Sequence, residues 1–197
     1  MKILTVLAGL ALAITLVACE PRGATSPIFT ATDITGASFA RDFSLTDHNG
    51  QPRKLADFRG KLVALFFGYT HCPDVCPTTM ADLAAAIKLL GPDANKIQVL
   101  FVTVDPERDT PELLKQYVPA FNPTFLGLRP TQEQLKLLAA EYKVVYQKNP
   151  GRDKGNYLMD HSAGTYIYDT QGRLRLLMPY GSSAQIIARD FTSLLAH

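Results

Sequence analysis

The sequence predicts an α/β protein in which helices flank a central mixed sheet. Two continuous apolar runs, Lys61–Tyr69 and Lys96–Val104, are typical of strands that are buried on both faces. Each run is followed by a segment with helical spacing of its apolar residues, and the chain closes with two strand-like segments and a Leu-rich helix. Because strands and helices alternate along the chain, we expect a layered arrangement of helices on a sheet.

The first strands form a hairpin in this interpretation. The segment Phe43–Leu55 places Asn49–Gly50 between two strand-like arms, which is a strong hairpin signal. After the first apolar run, a helix is predicted from Pro77 onward, and Gly91–Pro92 ends it.

The later elements follow the same alternation. A helix is predicted over Thr110–Val118, with Thr110 as its N-cap and proline at the first helical position, and another over Thr131–Tyr142. The polar, Gly-rich stretch Lys148–Asp160 interrupts the pattern. The remaining predicted elements are the strands Gly164–Asp169 and Leu174–Pro179 and the helix Ser183–Leu195. This order fits a thioredoxin-like fold with an added N-terminal β-hairpin.

Composition limits the functional classes. With 197 residues, the chain is long enough for one domain with a sizeable core. Its 47% hydrophobic and 19% charged residues are those of an ordinary globular protein. A net charge of +2 gives no footprint for nucleic acid, so we expect no nucleic-acid partner.

The N-terminus predicts export. Lys2 precedes the apolar run Ile3–Val17, which is typical of a secretory signal and too short for a comfortable membrane span. The ending "LVAC" resembles a bacterial lipobox, in which cleavage leaves Cys19 as a lipid-modified N-terminus. A plain signal peptide and an uncleaved anchor are the alternatives. Removing the signal takes away Lys2 and lowers the net charge from +2 to +1.

These observations predict three parts of the chain. Residues 1–18 are the expected lipoprotein signal peptide, residues 19–38 a lipidated tether, and residues 39–197 the folded domain.

The stretch "GYTHCPDVCPTTM" holds Cys72 and Cys76, the two cysteines that remain if Cys19 is lipidated. In an oxidising compartment, two thiols this close tend to pair. Their position at the start of a helix stabilises a thiolate, which is both the nucleophile of disulfide exchange and a soft metal ligand. Three intervening residues allow a disulfide and also allow both sulfurs to face one point. A structural disulfide, a redox couple and a metal site therefore remain open.

The histidines differ in their expected roles. His161 precedes the strand that joins the central sheet, and in a thioredoxin-like fold that strand entrance lies opposite the dithiol. It is the candidate third ligand, although spacing alone does not decide this. We expect His48 to be a solvated turn residue, the terminal His197 to be frayed, and His71 to point away from Cys72 because adjacent side chains diverge.

Three segments together resemble the Sco/SenC/PrrC family of copper proteins: "GYTHCPDVCPTTM", "VTVDPERDTPELL" and "YLMDHSAGTYIYD". Their order and separations also match, and the resemblance covers the chain from about Phe39 to Leu195. It implies a membrane-tethered thioredoxin-fold protein that binds one copper ion, as Cu(I) or Cu(II), through Cys72, Cys76 and His161. The implied family role is assembly of the dinuclear copper centre of cytochrome c oxidase.

The chemistry of these residues agrees with the resemblance. Two thiolates and an imidazole form a soft set that suits Cu(I) and is able to hold Cu(II). Zinc usually takes a fourth ligand, and the domain has no further cysteine to supply it.

Three acidic residues accompany the predicted ligands. Asp160 and Asp105 are expected either to act beside the ligands, by orienting His161 or by shaping a docking surface next to copper, or to serve only in turns and helix caps. Asp109 is expected to cap a helix.

The resemblance also implies partners and a location. We expect the copper-centre subunit of cytochrome c oxidase as a partner, with other periplasmic copper chaperones or a thioredoxin-like reductant as further ones. The expected location is the bacterial cell envelope, as a lipoprotein anchored in the membrane and facing the periplasm. Delivering copper is binding and transfer, not turnover. A thiol-disulfide reductase and a copper-linked redox sensor are the alternatives, and among chaperone and reductase only the chaperone requires His161.

Overall fold

The computed structural model describes residues 28–150 and 157–196. Within them, an eight-stranded sheet, a separate two-stranded sheet and four α-helices are formed. The strands are β1 Thr32–Asp33, β2 Ser44–Asp47, β3 Pro52–Lys54, β4 Leu62–Gly68, β5 Ile97–Thr103, β6 Leu126–Arg129, β7 Tyr146–Pro150, β8 Tyr157–His161, β9 Thr165–Tyr168 and β10 Leu174–Met178. The helices are α1 Val75–Leu89, α2 Pro111–Tyr117, α3 Gln132–Tyr142 and α4 Ala184–Leu195, with 3-10 turns at Leu55–Phe58 and Gly91–Lys96.

The large sheet is mixed, as predicted. Its strand order is β1-β10-β9-β4-β5-β6-β2-β3. Strands β4, β5 and β6 run parallel, and every other pairing in this sheet is antiparallel. A parallel pair needs a crossover, and α1 and α2 supply the two crossovers between β4 and β6.

The core lies on both faces of β4 and β5, in which every residue is buried. Phe66 of β4 lies opposite Phe101 of β5, and their rings are 6.2 Å apart. Phe67 points to the other face, where it packs edge-on against Tyr142 of α3 at 5.2 Å. Two buried faces explain why both strands are continuous apolar runs in the sequence.

The predicted hairpin is confirmed. Strands β2 and β3 pair antiparallel, and Gly50 lies in the turn between them with φ +78°, a conformation that favours glycine. The short strand β6, which was not predicted, joins this hairpin to the parallel strands.

The prediction for His48 was wrong. The residue is buried, and its Nδ1 accepts a hydrogen bond of 3.0 Å from the backbone N–H of Gly127 in β6. Burial lowers the pKa of His48, so the neutral ring that can accept this bond is favoured.

The folded part of the chain begins before residue 39, where the sequence placed the start of the domain. Strand β1 pairs with β10. Just before it, the backbone N–H groups of Thr30 and Ala31 donate to the buried carboxylate of Asp190 in α4. The end of the predicted tether is therefore part of the fold.

The polar stretch predicted over Lys148–Asp160 is strand at both described ends. Strands β7 and β8 pair only with each other, with Tyr146 opposite His161. We call this two-stranded sheet the ribbon.

The predicted signal peptide and Cys19 lie outside the described residues, and so does His197. In the part of the chain that the structure describes, no helix combines the length and the apolar character needed to span a membrane.

Candidate metal centre

The two cysteines lie between the end of β4 and the first turn of α1. Gly68 ends β4, and a Cβ at this position would lie 2.7 Å from the ring of Phe101 and 3.1 Å from the sulfur of Cys76. Only glycine therefore allows the start of α1 to lie this close to the central strands. This local packing places Cys76 directly on the core.

The cysteines are free thiols in unlike environments. Cys72 precedes the helix and is partly exposed, whereas Cys76 is the second helical residue and is fully buried. The backbone N–H of Cys76 donates to the sulfur of Cys72 at 3.4 Å. The helix N-terminus, which the sequence placed beside both thiols, therefore directs a backbone N–H at Cys72.

The environment of Cys76 disfavours its thiolate. Burial raises the pKa of the Cys76 thiol far above its usual range, although a hydrogen bond from the backbone of Tyr69 opposes the change. A bound metal cation would supply the positive charge that a buried thiolate at Cys76 needs next to it.

His161, the last residue of β8, reaches the dithiol. Its Nε2 lies 3.4 Å from the sulfur of Cys76, and its Nδ1 lies 2.9 Å from the backbone oxygen of Ser162. A carbonyl oxygen only accepts, so Nδ1 carries the proton and Nε2 keeps its lone pair. Burial lowers the pKa of His161, which favours this neutral form.

The three side chains converge. One ligand atom from each of Cys72, Cys76 and His161 lies within 4.8 Å of the others. Metal–sulfur and metal–nitrogen bonds of about 2.0–2.3 Å place such donors within reach of one ion. Two sulfurs and one imidazole nitrogen fit a soft cation.

An aromatic wall and an open groove surround the imidazole. The rings of Tyr69 and Phe66 pack against it in edge-to-face (T-shaped) geometry, with centroids 5.9 Å and 6.1 Å away. The adjoining groove has a volume of about 340 Å³. Its lining includes Tyr69, Cys72, Val75, Met159, His161 and Ala163. The site is thus walled on the core side and accessible on the side of Cys72.

Comparison with known proteins identifies the family of the chain. The SCO1/SenC family model matches residues 31–196. The chain belongs to the SCO1/SenC family. The resemblance seen in the sequence is therefore confirmed.

Curated SCO1/SenC relatives come from mitochondria and from bacteria. The mitochondrial SCO2 homolog of Bos taurus is 40% identical over 158 residues, which are 79% of this chain and 58% of that protein. The SCO2-like protein of Rickettsia felis is 38% identical over 133 residues, 67% of this chain and 65% of that protein. The chain thus spans only about three fifths of the length of these two relatives.

Solved SCO1/SenC structures share the fold. Bradyrhizobium japonicum ScoI with copper bound has a TM-score of 0.71 at 38% identity, covering 78% of this chain and 98% of that one. Apo Sco1 from Thermus thermophilus has a TM-score of 0.76 at 40% identity, covering 87% of this chain and 99% of that one. The predicted thioredoxin-like α/β fold is confirmed.

Asp109 has a role in this SCO1/SenC protein that the sequence did not reveal. The predicted helix cap is Thr110 alone, whose side chain accepts from the N–H of Leu113, whereas Asp109 is fully buried. The Asp109 carboxylate accepts from the backbone and hydroxyl of Thr70, at 3.1 Å and 2.6 Å, and from the hydroxyl of Thr103. It therefore anchors the loop that carries Cys72 to the end of β5, and the cap prediction was wrong.

His71 lies apart from the donor cluster. It is half-exposed, and its Nδ1 contacts the hydroxyl of Thr70 at 3.0 Å. The sequence-based expectation that it would not join Cys72 agrees with this placement.

Neither Asp160 nor Asp105 is the hydrogen-bond partner of the His161 ring. Asp160 is exposed and accepts from the side-chain amide of Asn149, whereas the imidazole of His161 donates to Ser162 instead. Asp105 is buried and bonds Arg108 and the hydroxyl of Tyr157 in β8. An effect of Asp105 on His161 therefore has to pass through the ribbon.

Proposed function

We propose that this SCO1/SenC protein binds one copper ion per chain, as Cu(I) or Cu(II), through Cys72, Cys76 and His161. The observation that carries the proposal is the convergence of these three donor atoms within 4.8 Å. Solved relatives support it, since the Bradyrhizobium japonicum protein at 38% identity and yeast Sco1 at 29% identity were determined with copper bound.

The charges of the site suit both copper states. With two thiolates and a neutral imidazole, the site carries a net charge of −1 with Cu(I) and is neutral with Cu(II). Neither state places a large net charge beside the buried wall of Tyr69 and Phe66. Copper binding must displace the proton that burial favours on Cys76, so binding is expected to release protons.

The proposed role is delivery of copper to the dinuclear copper centre of cytochrome c oxidase. Members of the Sco family bind copper and belong to the cytochrome c oxidase assembly proteins. The open groove on the side of Cys72 gives an acceptor access to one sulfur, while Cys76 is fully buried and His161 is partly exposed. The copper-centre subunit of the oxidase is the proposed acceptor, and periplasmic copper chaperones or a thioredoxin-like reductant are further proposed partners.

We propose that the protein is a lipoprotein of the bacterial cell envelope. In this proposal residues 1–18 are removed, Cys19 carries the lipid anchor, and the folded domain faces the periplasm. The basis is the sequence "LVAC" after an apolar run. The intact mass of membrane-extracted protein should show cleavage before Cys19 and a diacylglycerol-sized addition. A mature chain that starts elsewhere, or that is free in the periplasm, would contradict this assignment.

A thiol-disulfide reductase is the second candidate, and a copper-linked redox sensor would use the same residues. The partly exposed Cys72, which receives the N–H of Cys76, has the position of an attacking thiolate. A reductase needs the two cysteines but not His161. Substitution of His161 therefore separates the two classes.

The test compares His161→Ala with a matched histidine, His71→Ala, after thiol reduction. The wild-type protein and His71→Ala should each bind one copper and show thiolate-to-Cu(II) absorption. His161→Ala should keep Cu(I) on the two thiolates but lose most of its Cu(II) affinity, because Cu(II) prefers nitrogen ligands and higher coordination.

Cells supply the functional half of this test. Loss of oxidase copper-centre assembly in His161→Ala, with an unchanged dithiol reduction potential, supports copper transfer. Normal assembly in His161→Ala together with failure in Cys72→Ser would replace the chaperone with the reductase.

A further inference from the structure

The ribbon brings His161 to the thiols without being part of the large sheet. Strands β7 and β8 pair only with each other in the described residues, whereas both cysteines sit beside the central strand β4. Pairing within the ribbon does not fix its distance from β4. The short connection from His161 to Thr165 of β9, which pairs with β4, and the core packing of Met159 hold one end of β8 near the thiols. The other end needs a contact of its own.

The loop that follows β5 makes that contact with β8. Arg108 donates through Nε to Asp105 at 2.5 Å and through Nη1 to the backbone oxygen of Tyr157 at 3.0 Å. Its guanidinium carbon lies 3.5 Å from the centroid of the Tyr157 ring, and the Tyr157 hydroxyl donates to Asp105 at 2.8 Å. We call these three residues the clamp.

The same loop also contacts β7. Lys148 donates to Glu107 at 2.8 Å, and its Nζ lies 4.0 Å from the centroid of the Tyr157 ring. Lys148 and Glu107 are about half exposed, so this ion pair contributes little by itself. Both strands of the ribbon are nevertheless joined to one loop.

The clamp is more than a surface ion pair. The Asp105 side chain is 3% exposed and that of Arg108 19%. Within the described residues, Nη2 of Arg108 is buried without a hydrogen-bond partner, which shows how far the guanidinium is withdrawn from water. Removing one partner of a desolvated pair leaves the other uncompensated, so such a contact resists opening.

We propose that Arg108 is a positioning residue for the metal centre: with Asp105 and Tyr157 it holds β8 so that Nε2 of His161 faces both sulfurs. Tyr157 and His161 are the two ends of β8, about 13 Å apart along an extended strand. A paired strand transmits the position of one end to the other. The consequence for copper rests on the proposed function, whereas the consequence for the ribbon does not.

The first test measures amide hydrogen exchange in the metal-free full chain. Arg108→Gln should raise exchange of the hydrogen-bonded amides in β7 and β8 at least tenfold and leave β4 and β5 unchanged. Arg173→Gln is the matched control, because Arg173 also bonds a buried aspartate, Asp169, at 2.8 Å but in the β9–β10 turn. It should leave the ribbon unchanged.

The second test measures copper. Arg108→Gln should lower Cu(II) affinity ten- to a hundredfold, the usual effect of losing a residue that orients a ligand, and should alter the thiolate-to-Cu(II) absorption. Cu(I) affinity should change less, since both thiolates remain. Arg108→Lys, which keeps the cation but not the fork of donors, should recover part of the Cu(II) affinity.

Two results would overturn the proposal: ribbon exchange equal to wild type in folded Arg108→Gln, or an equal loss of Cu(II) affinity in Arg173→Gln. If Arg108→Gln does not fold, Tyr157→Phe replaces it, because this change keeps the ring and removes only the bond to Asp105. Unchanged ribbon exchange in Tyr157→Phe would then overturn the clamp. If the wild-type protein binds no copper, the proposed function fails while the exchange experiment still judges the clamp.

Discussion

At the scale of single residues, the buried His48 and the partly buried His161 show how one hydrogen bond decides what an imidazole can do. Burial lowers the pKa of both His48 and His161, so both are favoured in the neutral form. Nδ1 of His48 accepts from the N–H of Gly127, which places its proton on Nε2. Nδ1 of His161 donates to the oxygen of Ser162, which leaves Nε2 free to bind a metal. Only His161 has a free lone pair facing the thiols.

The loop anchor Asp109 gives a prediction about stability. Asp109→Ala should lower the free energy of unfolding of the metal-free protein by about 2–4 kcal/mol, because Thr70 and Thr103 lose their buried acceptor. Urea denaturation measures this change. Asp74→Ala is the control from the same loop. Asp74 is the N-cap residue of α1, but its side chain makes no capping hydrogen bond and only an exposed contact with the Thr78 hydroxyl, so the change should cost less than about 0.5 kcal/mol. Equal costs for the two variants would contradict the anchoring role.

The candidate metal ligands were easier to predict than the contacts that support them. Two cysteines separated by three residues, with a histidine in the segment before a predicted strand, indicate thiol or metal chemistry from the residue types alone. The structure brings Cys72, Cys76 and His161 together. Asp109 was mistaken for a helix cap because an aspartate before Thr110–Pro111 has the same local sequence in either role. What distinguishes the two is its contact with Thr70, a partner 39 residues away.

At the scale of elements, two hairpin turns use the same device. The carboxylates of Asp47 and Asp169 each accept two backbone N–H groups of their turn and the Nε–H of an arginine in the hairpin, Arg53 or Arg173. Asp169 also accepts from Arg175 at 3.3 Å. Burial alone would raise the pKa of each aspartate. The backbone hydrogen bonds and the arginine outweigh burial and lower both pKa values below the ordinary range.

These turns predict acid sensitivity. Because the pKa of Asp169 is lower in the folded chain than the value of about 3.9 expected in the unfolded chain, its stabilising effect is complete above the unfolded pKa. The effect is lost as the pH falls through the folded pKa. Urea midpoints measured from pH 6 to pH 2 should therefore fall less steeply in Asp169→Asn than in wild type. Parallel curves would show that this carboxylate does not contribute.

How well an element was predicted depended on where its stabilisation comes from. Strands β4 and β5 were found because burial on both faces requires a continuous apolar run. Strand β1 has two residues and β6 four, and both are held by neighbouring strands that are distant in sequence. The ribbon was missed because most of β7 is polar and solvent-facing, so it lacks the apolar alternation of a half-buried strand.

At the scale of the whole molecule, the N-terminal segment is tied to the last helix. Asp190 of α4 is fully buried, and its carboxylate accepts from the N–H groups of Thr30 and Ala31, about 160 residues away in sequence. Asp190→Ala should cost about 1–3 kcal/mol of unfolding free energy, because two donors lose their partner. Arg189→Ala, which removes only a largely exposed contact to Asp190, is the control and should be nearly neutral. Limited proteolysis should cleave near Thr30 faster in Asp190→Ala alone.

The candidate ligands come from two separate parts of the fold, and this determines how oxidation acts on the site. The two sulfurs come from adjoining parts of one loop and helix, and the N–H of Cys76 already points at Cys72. The proposed nitrogen ligand, His161, comes from the ribbon. Oxidation can therefore remove both sulfur donors at once without needing His161 to move. An oxidant such as glutathione disulfide would accept the two electrons, and the two thiols would lose their protons as the sulfur–sulfur bond forms.

We therefore predict that Cys72 and Cys76 form a reversible disulfide and that the oxidised protein takes up no copper, because a disulfide has no thiolate to donate. Differential alkylation with peptide mapping, before and after reductant, should assign the bond to these two cysteines and distinguish them from Cys19. Copper uptake should return in step with free thiol. Copper-loaded protein should resist the same oxidant, since both sulfurs are then occupied. Equal copper uptake by oxidised and reduced protein would mean that the two sulfurs are not the main ligands. The proposed copper site at Cys72, Cys76 and His161 would then be wrong.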